Sequence, residues 1–270
     1  MATASMTAPR HTTNLLTSTA VVSKRTLLKF LRTPQLIVLG TIQGAMFLLI
    51  FRYVFGGAIN PGGTINYVNF LVPGFVTTGI LFGGMGASAG VAEDMDQGVI
   101  DRLRSLPIPR AAVLTGRALA DTWLQIYSLI ILVLISFAVG FRLHASIGRS
   151  LIAFALIVAF GIAFEWLFIL LGMLAGNAQA AQGMALLIFP FTFISSAYVP
   201  VKTMPGFLQA IANHQPITPM VDAVRALTQG PAAERLLGHQ ASYYVIESLL
   251  WSLALVAVFA PLAVARYRKG

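Results

Sequence analysis

The chain has 270 residues, of which 57% are hydrophobic and only 10% charged, and its mean hydropathy is +0.80; a soluble domain carries roughly 25% charged residues, so lipid rather than water is the expected solvent. Cysteine is absent, which excludes a disulfide framework, a thiolate metal site and a catalytic thiol. The net charge of +9 reads as membrane topology and not nucleic-acid binding, because the basic residues flank the apolar runs.

Residues 1–22 are small and polar and lack the basic start and apolar middle of a secretory signal, so they read as a flexible cytoplasmic tail. Before the first apolar run, Leu27, Phe30 and Leu31 share one helical face while Arg25, Lys29 and Arg32 share the opposite one. That pattern predicts a short amphipathic helix lying in the membrane interface. A crossing helix needs ~20 apolar residues. Six runs qualify as spans: residues 36–55, 70–91, 118–141, 151–175, a short fifth at 184–199, and 244–265. Thr33 and Pro34 suit the N-cap and first turn of span one.

The orientation follows from the basic residues. With the N-terminus inside, Arg10, Lys24, Arg25, Lys29 and Arg32 are cytoplasmic. So are Arg102, Arg104, Arg110 and Arg117 between spans two and three, and Arg266, Arg268 and Lys269 at the end, together the larger share of the 18 basic residues. An odd span count would expose one terminal cluster. The fold class is therefore an all-α membrane protein with six transmembrane helices and both termini cytoplasmic.

Two connections carry more than topology. Between spans two and three, Glu93, Asp94, Asp96 and Asp101 mix with Arg102, Arg104 and Arg110, and Ile100, Leu103 and Leu106 recur at helical spacing. This predicts a short amphipathic helix, interrupted at Gly98 and ended by Pro107 and Pro109, that suits docking to a soluble partner. Between spans five and six, residues 207–212 read as one short helix. Asn213-His214-Gln215-Pro216 breaks it, and a second helix follows, with Thr218 as its cap and Gly230-Pro231 as its stop. Two apolar helices around a polar break predict a re-entrant hairpin in the outer leaflet, with backbone at that depth held against protein. His214 reads as a hydrogen-bonded loop residue and not a base.

Catalytic constellations are missing from the sequence. The histidines form no metal-ligand pair, and no lysine follows a glycine, so the chain has no P-loop of its own. No catalytic or metal residue is assigned, and no cofactor is expected on this chain. Glu165 is the one carboxylate near the middle of a span. A charge there costs about 2.5–3.5 kcal/mol, and the surrounding apolar residues each return about 0.3–0.6 kcal/mol, so span four still inserts with Glu165 facing protein. A proton relay would recruit Asp121 or Glu247. Gln43, Met46 and Phe47, Thr77, Thr78 and Phe82, and Phe189, Phe193 and Ser196 are candidates to line a path for an amphiphile.

Several segments together carry a resemblance: Phe51-Arg52-Tyr53-Val54-Phe55-Gly56-Gly57, Val72-Pro73-Gly74, Asp96-Gln97-Gly98, Asp101-Arg102-Leu103-Arg104-Ser105-Leu106-Pro107, Gln215-Pro216-Ile217-Thr218-Pro219, and Val221-Asp222-Ala223-Val224-Arg225-Ala226-Leu227. In this order the chain resembles the type-2 ABC exporter permeases, most nearly the daunorubicin-resistance branch, over about residues 24–268. It departs from the usual Glu-Arg pair before the glycine, having Glu93-Asp94-Met95-Asp96. The resemblance implies one transmembrane domain over residues 23–270 in a bacterial plasma membrane, paired with a second permease copy, identical or a close sibling. It implies a separately encoded ABC ATPase that binds ATP and Mg and docks on a coupling helix at Glu93, Asp94, Asp96, Gly98, Asp101, Arg102, Leu103 and Arg104. Membrane lipids, and no nucleic acid, complete the partners. The implied activity is export of a drug-like or lipidic amphiphile, as in antibiotic resistance. A polysaccharide or glycolipid exporter, a proton-driven secondary transporter and a membrane-embedded enzyme are the alternatives.

Overall fold

A computed structural model describes residues 15–32, 34–62, 64–105 and 110–269, and every regular element among them is helical. Helix α1 spans Leu15–Leu31, α2 Pro34–Ile50, α3 Tyr67–Asp96, α4 Val99–Ser105, α5 Arg110–Ala138, α6 Ile147–Ala175, α7 Ala178–Leu186, α8 Phe189–Phe193, α9 Gly206–Asn213, α10 Ile217–Gln229, α11 Pro231–Leu237 and α12 Ala241–Lys269. A π-helical turn, Phe51–Phe55, continues α2 without a break.

Four helices, α3, α5, α6 and α12, are long and apolar enough to cross a membrane, and two shorter apolar stretches, Gly40–Phe55 and Ala178–Phe193, accompany them. At 1.5 Å per residue the 30 residues of α3 extend about 45 Å, so its two ends lie at opposite ends of the bundle. Helix α6 is the hub: α3, α5, α7, α10 and α12 all pack on it. Its close neighbours use small residues as contact points, as expected where lipid removes the hydrophobic drive and close packing must supply the attraction. A Cβ on Gly172 would collide with the Ser88 carbonyl of α3, and one on Gly84 would enter the Phe168 ring of α6.

Most expected spans match helices that are somewhat longer than the apolar runs, because polar helix ends extend past the apolar core. The fifth run is a correction. The predicted span at 184–199 is displaced: α7 starts at Ala178, directly after Gly176 caps α6 in the left-handed region at φ 78° and the Asn177 side chain accepts from Ala180 N. The path then kinks between α7 and α8 and leaves the helix after Phe193. Small polar residues in Ala178-Gln179-Ala180-Ala181-Gln182-Gly183 masked this start, since hydropathy scores transfer to lipid and not helix continuity.

The tail boundary at residue 22 falls inside α1. Residues 1–14 lie outside the description, but Ser18 and Val22 are buried, and Thr19 Oγ1 lies 3.3 Å from Thr115 Oγ1 of α5. The α1 helix is thus docked on α5, with Val21, Lys24, Arg25 and Leu28 exposed. The side chains of Lys29, Phe30 and Leu31, which carried the predicted interfacial pattern, are outside the described set.

The connection between α8 and α12 contains a fully enclosed helix. All 13 residues of α10 are buried, packed against α3, α6 and α12. Helix α9 matches the first predicted helix closely. Thr218 is not the cap of the second: α10 begins at Ile217 after Pro216, without a side-chain cap. Gln215 takes part instead at the other end of the break, donating from Nε2 to Phe191 O at 3.0 Å and Ile194 O at 2.8 Å, where α8 leaves its carbonyls unpaired. His214 Nδ1 lies 2.8 Å from Ala210 O on an exposed turn, a loop residue as expected.

Candidate functional site

At the end of the bundle that holds α4, the predicted docking helix divides in two. Helix α3 runs on through Glu93, Asp94 and Asp96, so the acidic run belongs to α3 and not to the short helix. Gly98 then turns the chain in the left-handed region at φ 65°, where an L-residue costs roughly 1–2 kcal/mol. Helix α4 follows, with Ile100 buried against Val91, Val113 and Leu114 and Arg102 exposed. A small crevice beneath it is lined by Val22 and Thr26 of α1, Asp94 of α3, Leu103 of α4 and Arg117 of α5. The apolar residues Ile100 and Leu103 thus sit against three helices, while Arg102 lies on the exposed side. Leu106, Pro107 and Pro109 lie outside the description, as do the side chains of Asp101 and Arg104. Gly98→Ala is expected to lower the thermal stability of the α3–α4 corner by about 1–2 kcal/mol, measured by thermal unfolding in detergent, while leaving total helix content unchanged by circular dichroism.

Directly behind that corner is a buried charge cluster. Arg117 donates from Nη1 to Asp94 at 2.8 Å and from Nε to Asp121 at 2.6 Å. Room for its guanidinium comes from Gly90, where a Cβ would meet the guanidinium of Arg117. One turn further along α5, Gln125 Nε2 donates to Glu165 Oε2 of α6 at 2.9 Å. Glu165 is 0% exposed, adjoins Asp121, and its Oε1 has no hydrogen-bond partner among the described residues. Arg117, Asp121 and Gln125 are four residues apart, so they share one face of α5. The cluster therefore links the end of α3, one face of α5 and the interior of α6. Sequence reasoning singled out Glu165 and named Asp121 as its candidate partner; Arg117 was read only as a topology signal. Glu247 sits at the other end, near the start of α12.

A second set of residues forms a chain of rings from the far end of α2 towards the middle of the bundle. Phe51 stacks on Tyr198 at 4.8 Å, Tyr198 lies 4.9 Å from Phe193, Phe193 4.9 Å from Phe189, and Phe189 5.7 Å from Phe82. Tyr198 is held from behind: its hydroxyl is 2.8 Å from Thr78 Oγ1, and its carbonyl accepts from Tyr67 OH at 3.2 Å. A Cβ on Gly74 would strike the backbone of Ala197, so only glycine lets this segment approach α3. Of the predicted path residues the structure joins Phe82, Phe189, Phe193 and, through Tyr198, Thr78. Gln43 and Phe47 are exposed on α2, apart from these rings, and Glu165 belongs to the charge cluster. Phe51 and Tyr198, which complete this line of rings, were not singled out from the sequence; the alternation of small residues and aromatics around 189–198 was the only available signal.

The buried helix α10 is pinned by Arg225. Its guanidinium is 0% exposed and donates to Asp222 Oδ1 at 2.6 Å, to Phe70 O at 3.1 and 3.0 Å, and to Ser196 O at 2.7 Å. It also lies 3.8 Å from the Phe70 ring centroid. Ser196 Oγ donates to Asp222 Oδ1 at 2.7 Å. The result ties α10, α3 and the Tyr198 segment into one unit.

Comparison with known proteins places these features in context. A family model described as ABC-2 type transporter matches residues 17–228. The chain is 30% identical over 246 residues to the daunorubicin resistance ABC transporter permease protein DrrB1 of Streptomyces coeruleorubidus, covering 91% of this chain and 84% of that one. It is 23% identical over 258 residues to the probable doxorubicin resistance ABC transporter permease protein DrrC of Mycobacterium tuberculosis, covering 93% and 88%. A putative transport permease, ycf38, of Porphyra purpurea is 28% identical over 207 residues, covering 75% and 70%.

Proposed function

The chain belongs to the ABC-2 type transporter family, and on that premise we propose that it is the membrane-spanning permease subunit of an ATP-driven exporter of a drug-like or lipidic amphiphile. A separate ABC ATPase binds ATP and Mg and docks on the α3–α4 corner, through Glu93, Asp94 and Asp96 at the end of α3 and Asp101, Arg102, Leu103 and Arg104 of α4, with Gly98 setting the corner. The observation that carries this reading is the seating of α4: its apolar residues Ile100 and Leu103 line a crevice with α1, α3 and α5, Arg102 is exposed, and the buried Arg117 cluster lies directly behind it. A push on such a corner reaches α6 through Asp121 and Glu165, so differential binding of the ATPase to two arrangements of the bundle shifts their populations.

In this reading the four long helices and the two shorter stretches make six crossings. Both termini and α4 are cytoplasmic, in a bacterial plasma membrane, and residues 23–270 form one domain. The α9–α10 pair dips into the outer leaflet: burial of every residue of α10 supports this, because backbone at membrane depth is tolerated only against protein. Two copies pair to enclose the path, and Phe82, Phe193 and Thr78 lie along it. The chain itself hydrolyses nothing.

Reconstitution tests the proposal. With the ATPase encoded beside it, the chain is expected to form a complex whose ATP hydrolysis drives efflux of a fluorescent amphiphile from proteoliposomes. Arg102→Glu should abolish complex formation and leave the purified chain folded. Absence of any ATP-dependent transport by the intact pair sinks the exporter reading.

The Glu165–Asp121 contact favours one rival, a proton-driven carrier. Glu165→Gln separates the two: an ATP-driven exporter retains transport within about threefold, with no dependence on an imposed pH gradient, whereas a proton carrier loses transport. Transport assays at matched and unmatched internal pH read this directly.

A further inference from the structure

Beside the aromatic chain the distribution of charge is one-sided. Between residues 33 and 92, and again between 166 and 201, the only charged side chain is that of Arg52. Those segments contain α2, the π-helical turn, nearly all of α3 and the whole of α7, α8 and the Tyr198 segment, which supply every ring of the chain. No carboxylate lies on them to offset the cation.

Arg52 occupies the π-helical turn, next to Phe51, the ring that ends the aromatic chain at the far end of α2. Its guanidinium carbon sits 5.5 Å over the ring of Tyr53. The Nε atom is shielded from solvent and has no hydrogen-bond partner among the described residues. Gly56 contributes space: a Cβ there would meet both the carbonyl and the guanidinium of Arg52. A guanidinium without an acidic partner on an apolar wall is costly, and it recruits phosphate or carboxylate through a planar, two-pronged set of donors. An exposed arginine at a helix end commonly reaches bilayer phosphates. Here the arginine follows directly on Phe51, the ring at which the line ends.

We propose that Arg52 is the head-group residue of this path and that the cargo is an amphiphile with an apolar or aromatic body and an anionic head, a phosphate or a carboxylate. The body lies along Phe51, Tyr198, Phe193 and Phe82, and the head pairs with Arg52. A cationic head would find no carboxylate on these segments and would meet the charge of Arg52. The assignment rests on the exporter reading for its transport role, but binding to the chain alone tests it separately.

The test uses the purified full-length chain, without ATPase, in nanodiscs of phosphatidylcholine. Three dansyl-labelled probes share one dodecyl tail and differ in the head: phosphate, hydroxyl and trimethylammonium. The phosphate probe is expected to bind about tenfold tighter than the hydroxyl probe, and the ammonium probe weakest. Arg52→Gln should bring the phosphate and hydroxyl probes to within about twofold, Arg52→Lys should keep most of the preference, and Arg52→Glu should turn it towards the ammonium probe. Thermal unfolding in the same discs verifies that each variant is folded. Phe193→Ala distinguishes the two sources of phosphate. Weakened binding of the phosphate probe places the body on the rings. Undiminished binding in Phe193→Ala, with loss in Arg52→Gln, assigns Arg52 to surrounding bilayer phosphates and overturns the path. Equal or tighter binding of the ammonium probe by the unaltered chain overturns the proposal, as does a phosphate preference that survives Arg52→Gln. Failure of ATP-driven transport with intact probe binding would instead count against the exporter reading alone.

Discussion

Arg225→Ala should leave almost no folded protein in the membrane. Removing the guanidinium strands the Asp222 carboxylate, the Phe70 carbonyl and the Ser196 carbonyl inside a helix packing that excludes water. Breaking a buried ion pair costs about 3–5 kcal/mol, and orphaned carbonyls add about 1–3 kcal/mol each. Those sums approach the whole stability of a typical domain, about 5–15 kcal/mol. Arg225→Lys should rescue little, because one ammonium cannot reach three acceptors in different directions or stack flat on the Phe70 ring. Fluorescence-detected size-exclusion of detergent extracts measures the outcome. A monodisperse Arg225→Ala peak at normal abundance would show that α10 is held by its apolar contacts alone. Asp222→Asn is the milder control: it keeps the shape and one acceptor for Ser196 and Arg225.

Arg117→Gln is the second large effect, expected to destabilise the chain by about 3–5 kcal/mol because Asp94 and Asp121 lose their cation in a buried setting. Pairing it with Asp121→Asn should recover part of the loss. The double variant is expected to fall short of the summed single effects by about 0.5–3 kcal/mol, the size of coupling seen between contacting residues. Thermal unfolding of the four proteins closes the cycle; strict additivity would mean that the pair does not interact. The same variants probe the link behind α4. If the cluster transmits the ATPase push, ATP hydrolysis in the complex should persist in Arg117→Lys while transport falls about tenfold or more.

Much of the scaffold was legible from local pattern. The extents of α3, α5, α6 and α12 follow the apolar runs, because each segment's preference for lipid is a sum over its own residues. The Gly98 corner was equally visible, since glycine at the end of a charged helical run answers a local backbone demand. The fifth run was placed too late, because a helix that starts with alanine, glutamine and glycine has low hydropathy but good helical continuity. The site was half legible. Phe82, Phe193 and Thr78 were chosen for residue type within a span, and they lie together; Gln43 and Phe47, chosen for the same reason, do not.

By itself the sequence determined the solvent, the helical class, the charged stretch around Gly98 and the lack of a P-loop motif, all of which depend on composition or on neighbours within a few positions. Only the tertiary structure decided that Arg117 faces Asp94 and Asp121 instead of marking topology, that Tyr198 bridges Phe51 to Phe193, and that Arg225 binds a carbonyl 155 positions away. The physical reason is the same in each case. Transfer of a segment to lipid is scored by its own side chains, but the fate of a buried charge depends on which distant groups the packing brings within hydrogen-bond reach. That is why Arg52, with no acidic partner on the wall it shares, stands out only once the wall is assembled.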